Sequence, residues 1–78
     1  MAIQELKKHK KAIEKALADP RTYRGEENQS TFWNKFGVTQ SGGSRYENGR
    51  GMDKPLRTLI ALDVMGYKDL VADTVAAV

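Results

Sequence analysis

Four side chains with strong hydrogen-bonding groups recur at a helical spacing near the middle of this sequence. They are Gln40, Ser41, Ser44 and Arg45. Residues three or four apart lie on one face of an α-helix, so this spacing would place all four on the same side. Glutamine can pair with adenine N6 and N7, arginine with guanine O6 and N7, and serine with several bases. Taken alone, such residues are more typical of a solvated helix surface, so the elements that position them decide between the two interpretations.

The surrounding residues indicate two short helices joined by a tight turn. The first helix is predicted over residues 30–36, and Gly37 follows where the chain must turn. We expect Gly37 to adopt a positive φ, which a side chain would disfavour. Thr39 can cap a second helix over residues 40–48, because a threonine oxygen accepts hydrogen bonds from N–H groups of the first turn. The four polar residues would then lie at the front of this second helix.

The rest of the chain also reads as helical. Apolar residues at steps of three, four or seven predict a helix over residues 4–18. Residues 19–27 lack this periodicity and contain a proline and a glycine, so we predict a loop held to the core by Tyr23. Asp53 is expected to cap a helix ending near Gly66. Residues 67–78 are predicted to form a fifth helix, and their valines leave a terminal strand as the alternative.

Length and charge limit the kind of protein this can be. The 78 residues predict a single domain over 1–78, with room for four or five helices. The net charge is +3, and the first 25 residues carry seven Lys or Arg against three acids, which suits an anionic partner. No long apolar run or signal peptide is present, so we expect a cytoplasmic, nucleoid-associated protein without membrane contact. One face of the first helix carries Lys7, Lys8, Lys10, Lys11 and Lys15. A solvated face is the plainer interpretation of these lysines, and contact of a few of them with DNA phosphates is the alternative.

Catalysis is not expected from this composition. There is no cysteine and only one histidine, His9, which excludes disulfides and a thiolate zinc site. Asp69 and Asp73 are four residues apart, but two carboxylates without a third ligand are a weak metal signal. The pair Gly42-Gly43 lacks the strand and the Lys-Ser/Thr of a phosphate loop. We therefore expect no enzyme activity, no metal and no cofactor.

Residues 29–50 resemble the helix-turn-helix of the lambda-repressor/Cro-like family of phage and bacterial transcriptional regulators. In that family, helix two opens with a glutamine, a glycine stands between two apolar residues at the turn, and the recognition helix ends in an aromatic residue, an acid and a glycine. The resemblance implies a compact, all-α, lambda-repressor-like DNA-binding domain with the motif at about residues 29–49. The matching residues are Gln29, Phe32, Phe36, Gly37, Val38, Tyr46, Glu47 and Gly49.

The resemblance also implies roles for individual residues. The front of the recognition helix would contact bases through Gln40, Ser41, Ser44 and Arg45. Gln29 would hold a phosphate through its side chain and the helix N-terminus, and would brace Gln40. The family often pairs the acid at the Glu47 position with a basic residue from the first helix or the following loop, and the sequence does not identify which residue does so here. The expected DNA backbone contacts are Gln29, Asn48, Arg50 and Lys54.

The resemblance predicts a repressor of the Cro type that binds double-stranded DNA at a palindromic operator as a homodimer. Residues 67–78 are a candidate dimerisation element. Two alternatives stay open on the sequence alone. One is an antitoxin whose C-terminal segment binds a toxin. The other is a protein-interaction domain that has kept the fold without DNA binding, an idea that the neutral charge balance of residues 26–50 supports.

Two residues depart from the family pattern. Trp33 stands where the family usually has alanine, and Gly43 stands where it has valine or isoleucine. These positions face each other across the helix crossing in the family, so we predict a reciprocal exchange in which the indole fills the space left by Gly43. Two adjacent glycines in a helix cost about 1 kcal/mol each relative to alanine, so they need a reason. The alternative reason is close approach of the helix backbone to DNA.

Overall fold

The computed structural model describes the backbone of residues 2–78 and the side chains from residue 7 onward. Within residues 2–78 the chain forms six helices and no strand, so the all-α prediction is confirmed. No helix among these residues has the length and apolar character needed to cross a membrane. The helices are α1 (Ala2–Ala18), α2 (Pro20–Arg24), α3 (Gln29–Asn34), α4 (Gln40–Glu47), α5 (Lys54–Val64) and α6 (Lys68–Ala77).

Helix α2 corrects the loop predicted for residues 19–27 and raises the helix number above the four or five expected. Asp19 is its N-cap and accepts hydrogen bonds from the Thr22 N–H at 3.3 Å and the Thr22 hydroxyl at 2.6 Å. Pro20 occupies the first turn, where the missing N–H is not needed. Gly25 ends the helix with a φ of 66°. Five residues are too few for an apolar period to show, whereas the capping residues were readable.

A group of aromatic side chains fills the centre of the core. Trp33 is fully buried, and Phe32 and Phe36 are nearly so. The ring centroids of Phe32 lie 5.1 Å from Trp33 and 5.2 Å from Phe36 in edge-to-face contact, a favourable arrangement for aromatic pairs. Leu56 and Ile60 of α5 are buried against this group, as their helical spacing predicts. The core thus anchors α3, the helix that precedes the turn.

The C-terminal segment is the helix α6, so the terminal strand considered from the sequence is wrong. Gly66 precedes it with a φ of 93°, which separates α5 from α6 as expected. Val71 is buried and Val75 packs against the core, so α6 is attached through one side. Leu70 on α6 is 50% exposed and Tyr67 at its N-cap is 38% exposed, which leaves apolar surface on this part of the fold.

Helix α2 is joined to α5 by a hydrogen bond between partly buried side chains. The Tyr23 hydroxyl donates to Asp63 Oδ2 at 2.5 Å, and the Tyr23 ring packs edge-on against Phe32 at 6.0 Å. Lys68 also lies 3.2 Å from the buried carboxylate of Asp63. Burial and the bond to this carboxylate together raise the pKa of Tyr23. Tyr23 therefore holds the residues before α3 to the core, as expected.

Replacing Tyr23 with phenylalanine should destabilise the fold by about 1–3 kcal/mol, because Asp63 stays buried without that donor. The raised pKa of Tyr23 adds a dependence on pH. A group whose pKa rises on folding stabilises below its unfolded value and loses that contribution as pH rises through the folded one. Urea unfolding should therefore show wild-type stability falling above about pH 10. A stability gap between wild type and Tyr23→Phe that does not narrow there would contradict this.

Candidate nucleic-acid interface

Helices α3 and α4 and their connection form the predicted helix-turn-helix, with boundaries within two residues of those expected. Asn28 caps α3 and accepts hydrogen bonds from the N–H groups of Ser30 and Thr31. Gly37 has a φ of 75°, which confirms that the turn requires a left-handed residue. Thr39 caps α4 by accepting from the Gly42 N–H at 3.1 Å. The local sequence therefore fixes where α4 begins.

The exposed face of α4 carries the four side chains expected to contact bases. Gln40, Ser41 and Arg45 are exposed, and Ser44 is partly exposed. They stand at positions one, two, five and six of the eight-residue helix, so successive turns present them on the same side. Gln40 Nε2 donates to Gln29 Oε1 at 3.4 Å, and this is the bracing contact that the family resemblance implies.

The four residues expected to contact the DNA backbone have different surroundings. Lys54 is exposed at the start of α5, and exposed Arg50 places its guanidinium 6.0 Å above the Tyr46 ring. Asn48 ends α4 and donates through Nδ2 to the Ser44 carbonyl at 2.8 Å, which leaves its Oδ1 and one N–H available. Gln29 is partly buried and contacts other side chains.

The α3 N-terminus is less open to a phosphate than the resemblance implied. Asn28 already accepts hydrogen bonds from the N–H groups of Ser30 and Thr31. The Gln29 side chain donates to Glu47 and accepts from Gln40, so one side-chain N–H stays available.

Trp33 and Gly43 form the contact on which α4 rests. Gly43 is buried, and a Cβ at that position would lie 2.1 Å from Trp33 Cδ1 and 2.2 Å from Trp33 Cγ. Real Cβ atoms do not approach other atoms so closely, so only glycine fits beside the indole. The predicted packing of Trp33 against Gly43 is present, and Gly43 therefore faces the core. A Cβ at Gly42 would lie 3.1 Å from Val38 Cγ1, so Gly42 also lies close to its own turn.

Glu47 is the centre of a network of hydrogen bonds at the end of α4. Its carboxylate accepts from Arg24 Nε at 2.9 Å and from Arg24 Nη2 at 3.1 Å. Trp33 Nε1 donates to it at 2.7 Å, and Gln29 Nε2 donates at 3.1 Å. The Glu47 side chain is only 5% exposed. One carboxylate therefore connects α2, α3 and α4.

The ionised form of Glu47 is favoured despite its burial. Burial alone raises the pKa of this carboxyl, but the hydrogen bonds from Arg24, Trp33 and Gln29 and the charge of Arg24 outweigh that effect. The pKa of Glu47 is consequently lowered. Among the described residues, no buried side-chain nitrogen or oxygen lacks a hydrogen-bond partner. The network thus stabilises a charged acceptor inside the motif.

Arg24 is the residue of this site that the sequence did not identify. Glu47 was expected to pair with a base from the first helix or the following loop, and its partner lies on α2, which was predicted as that loop. The hydrogen bond from Trp33 Nε1 to Glu47 was also missed. The available signal was the start of α2 at Asp19-Pro20, since a helix there places Arg24 in its last turn.

The first helix contributes mainly to the scaffold. Helix α1 packs against α5 and α2. The lysines of α1 are exposed: Lys7, Lys8, Lys10, Lys11 and Lys15. This exposure suits a solvated face as well as it suits contact with DNA phosphates. Across the part of the chain that the structure describes, no group of three or more His, Asp or Glu could hold a metal ion.

The model of the RsaL-like HTH domain family matches residues 20–63 of this chain. The matched span covers more than half of the 78 residues and runs from α2 through the helix-turn-helix into α5. No curated protein and no solved structure matched the chain. The chain therefore belongs to the RsaL-like HTH domain family, and its helix-turn-helix is that of a DNA-binding regulator. Membership of the lambda-repressor/Cro-like family stays a prediction.

Proposed function

We propose that this RsaL-like HTH domain regulates transcription by binding a specific DNA sequence through α4. The observation that carries the proposal is the exposed polar face at the front of α4, on a helix seated by Trp33 and Glu47. An α-helix fits the major groove of B-DNA, where each base pair presents its own pattern of donors and acceptors. The side chains proposed to read that pattern are Gln40, Ser41, Ser44 and Arg45.

The residues around this face are proposed to position it on the duplex. Arg50 and Lys54 are exposed cations close in sequence to the end of α4, and Asn48 keeps an amide group available there. Such groups contact phosphates and sugars, which sets orientation without reading sequence. Gln29 is proposed to donate one side-chain N–H to the DNA backbone while its Oε1 accepts the hydrogen bond from Gln40. We expect no enzyme activity and no cofactor.

Replacing Gln40 with alanine should relax the preference at one operator position, because the glutamine donor and acceptor are lost. We expect discrimination there to fall by about 1–3 kcal/mol, with the other positions unchanged. Competition gel shifts with single-base operator variants measure this. Equal preference by wild type and Gln40→Ala at every position would contradict base contact by Gln40.

Replacing Arg50 with alanine should weaken binding to all sequences by a similar factor, since a phosphate contact carries no base information. The dependence of log K on log salt should become less steep by about one. Fluorescence anisotropy at several salt concentrations provides the measurement. Arg21→Ala serves as a control, because exposed Arg21 lies on α2, outside the helix-turn-helix. A change in base preference without a change in salt slope would assign Arg50 to base contact instead.

The proposal extends to a Cro-type repressor of a phage or mobile element that binds a palindromic operator as a homodimer. Support comes from the resemblance of residues 29–50 to the Cro-like motif and from the apolar surface that Leu70 leaves on α6 and Tyr67 leaves at its N-cap. Two recognition helices would then lie about 34 Å apart, one turn of DNA. Footprinting on the DNA upstream of the protein's own gene tests whether it regulates its own transcription. No protection above the non-specific background would contradict this autoregulation.

The antitoxin alternative uses the same DNA-binding face but assigns α6 to a toxin. Light scattering at micromolar concentration separates the two, because a monomer favours the antitoxin and a dimer favours the Cro-type regulator. A chain that binds no DNA would instead support the protein-interaction domain.

A further inference from the structure

Glu47 determines which atoms donate and which accept in the hydrogen bonds that lead to the exposed face of α4. An ionised carboxylate only accepts hydrogen bonds, so the Gln29 group 3.1 Å from Glu47 Oε1 must be its amide nitrogen. Gln29 then has its carbonyl oxygen, Oε1, on the side of Gln40. A carbonyl oxygen also only accepts, so Gln40 must supply an N–H to it. The charge on Glu47 thereby fixes the orientation of two amides in series.

We infer that Glu47 is a positioning residue for base recognition: through Gln29 it sets which polar atoms Gln40 offers to DNA. The inference rests on the proposed function and names part of its specificity. Because one N–H of Gln40 is directed to Gln29, its Oε1 and the second N–H are left for the DNA side. Adenine offers an acceptor at N7 and a donor at N6, whereas guanine offers two acceptors. The base pair read by Gln40 should therefore be A·T, with the adenine facing Gln40.

Two contacts of the network hold the Glu47 carboxylate in a fixed orientation. Arg24 holds Glu47 through two guanidinium nitrogens at 2.9 and 3.1 Å, a bidentate arrangement that restricts rotation of the carboxylate. Trp33 Nε1 holds the same carboxylate from the core side at 2.7 Å. Glu47 itself is almost buried and therefore has no direct route to a base. Its proposed route to the operator bases runs through Gln29 and Gln40.

The test compares base preferences of variants that break the network at different points. Glu47→Gln replaces the acceptor-only carboxylate with an amide that can face Gln29 with either atom, so the direction is lost. Arg24→Gln breaks the same ion pair but keeps the carboxylate and its bond to Gln29. Gln29→Ala removes the relay and leaves the Arg24–Glu47 pair intact. Gln40→Ala identifies the operator position concerned.

The measurement is the base preference at each operator position, from selected DNA pools, at pH 7.5 and a temperature where melting shows every variant folded. Wild type should prefer A·T by about tenfold or more at the Gln40 position. Arg24→Gln should keep part of that preference, because the Glu47 carboxylate still accepts from Gln29 but is held less rigidly. Glu47→Gln and Gln29→Ala should lose that preference there and keep it at the other positions. If Glu47→Gln does not fold, Gln29→Ala still gives the decisive comparison.

Distinct results overturn the inference and the proposed function. If wild type selects a sequence but Gln29→Ala or folded Glu47→Gln keeps its full preference at the operator position read by Gln40, the inference fails while the proposed function stands. The inference also fails if Arg24→Gln loses as much of that preference as Glu47→Gln and Gln29→Ala, because a general loosening of α4 would then explain all three variants. It fails too if Gln40→Ala changes the base preference at no operator position. A wild-type chain that selects no sequence overturns the proposed function, and the inference with it.

Discussion

Isoleucine in place of Gly43 should destabilise the fold by about 3 kcal/mol, at the upper end of the usual cost of overpacking. The first atom of any new side chain would lie 2.1 Å from the Trp33 ring, which is fully buried and cannot swing into solvent. Either the indole or α4 must move. Because the Trp33 nitrogen also binds Glu47, moving the indole weakens a second contact. The loss should appear in urea unfolding followed by Trp33 fluorescence and circular dichroism.

A second substitution separates a specific exchange of bulk from general damage. Adding Trp33→Ala to Gly43→Ile should recover much of the lost stability, because the isoleucine then enters the space of the indole. Gly43→Ala should also destabilise, although alanine favours a helix by about 1 kcal/mol over glycine. Gly42→Ala is the matched control, since its Cβ would lie 3.1 Å from Val38 Cγ1 and 3.4 Å from Thr39 Oγ1, and we expect a far smaller change. A double variant no more stable than Gly43→Ile would show that the two residues are not exchanged partners.

Removing the Glu47 side chain should have an equally large effect. Glu47→Ala leaves the Arg24 guanidinium and the Trp33 nitrogen without their acceptor. Breaking a buried ion pair from one side costs about 3–5 kcal/mol, and we expect the lower value because Arg24 is 16% exposed. Glu27→Ala is the control, since its pair with Lys35 joins side chains that are 35% and 40% exposed and should contribute less than about 1 kcal/mol. Similar losses for both variants would contradict the central role of Glu47.

The lowered pKa of Glu47 predicts how this contribution varies with pH. A carboxyl whose pKa falls on folding stabilises the protein above its unfolded pKa, near 4.3 for glutamate, and the contribution disappears as pH falls through the folded value. The stability difference between wild type and Glu47→Gln should therefore be full at pH 7 and shrink below about pH 4. Chemical unfolding across this range measures it. A difference that stays constant down to pH 3 would show that ionisation of Glu47 is not what stabilises the fold.

Local chemistry made most of the fold readable from the sequence. Thr39 and Asp53 were recognisable caps, and the structure shows each accepting an N–H of its helix at 3.1 Å. Gly37 was expected at a positive φ because the turn allows few other residues. Helix α2 was missed because a five-residue helix has no apolar period, although its cap was present. Propensity and spacing thus located elements that were long or clearly capped.

The site was readable only in part, because its contacts cross between helices. The resemblance suggested that Trp33 and Gly43 lie together and that Gln29 braces Gln40, and both contacts are present. The partner of Glu47 was not readable, since Arg24 reaches it from another helix over 23 positions. No spacing rule within one element predicts such a pair. The roles proposed for the exposed residues of α4 stay predictions that need DNA.

Selection of bound sequences from a random pool of double-stranded DNA shows whether α4 reads a DNA sequence. We expect the wild-type chain to enrich a sequence of two inverted half-sites whose centres are about one helical turn apart. We expect Gln40→Ala to lose the preference at one position in each half-site. Recovery of a pool as diverse as the starting one, at salt concentrations that suppress non-specific binding, would contradict the assignment of α4 as a reader of DNA sequence.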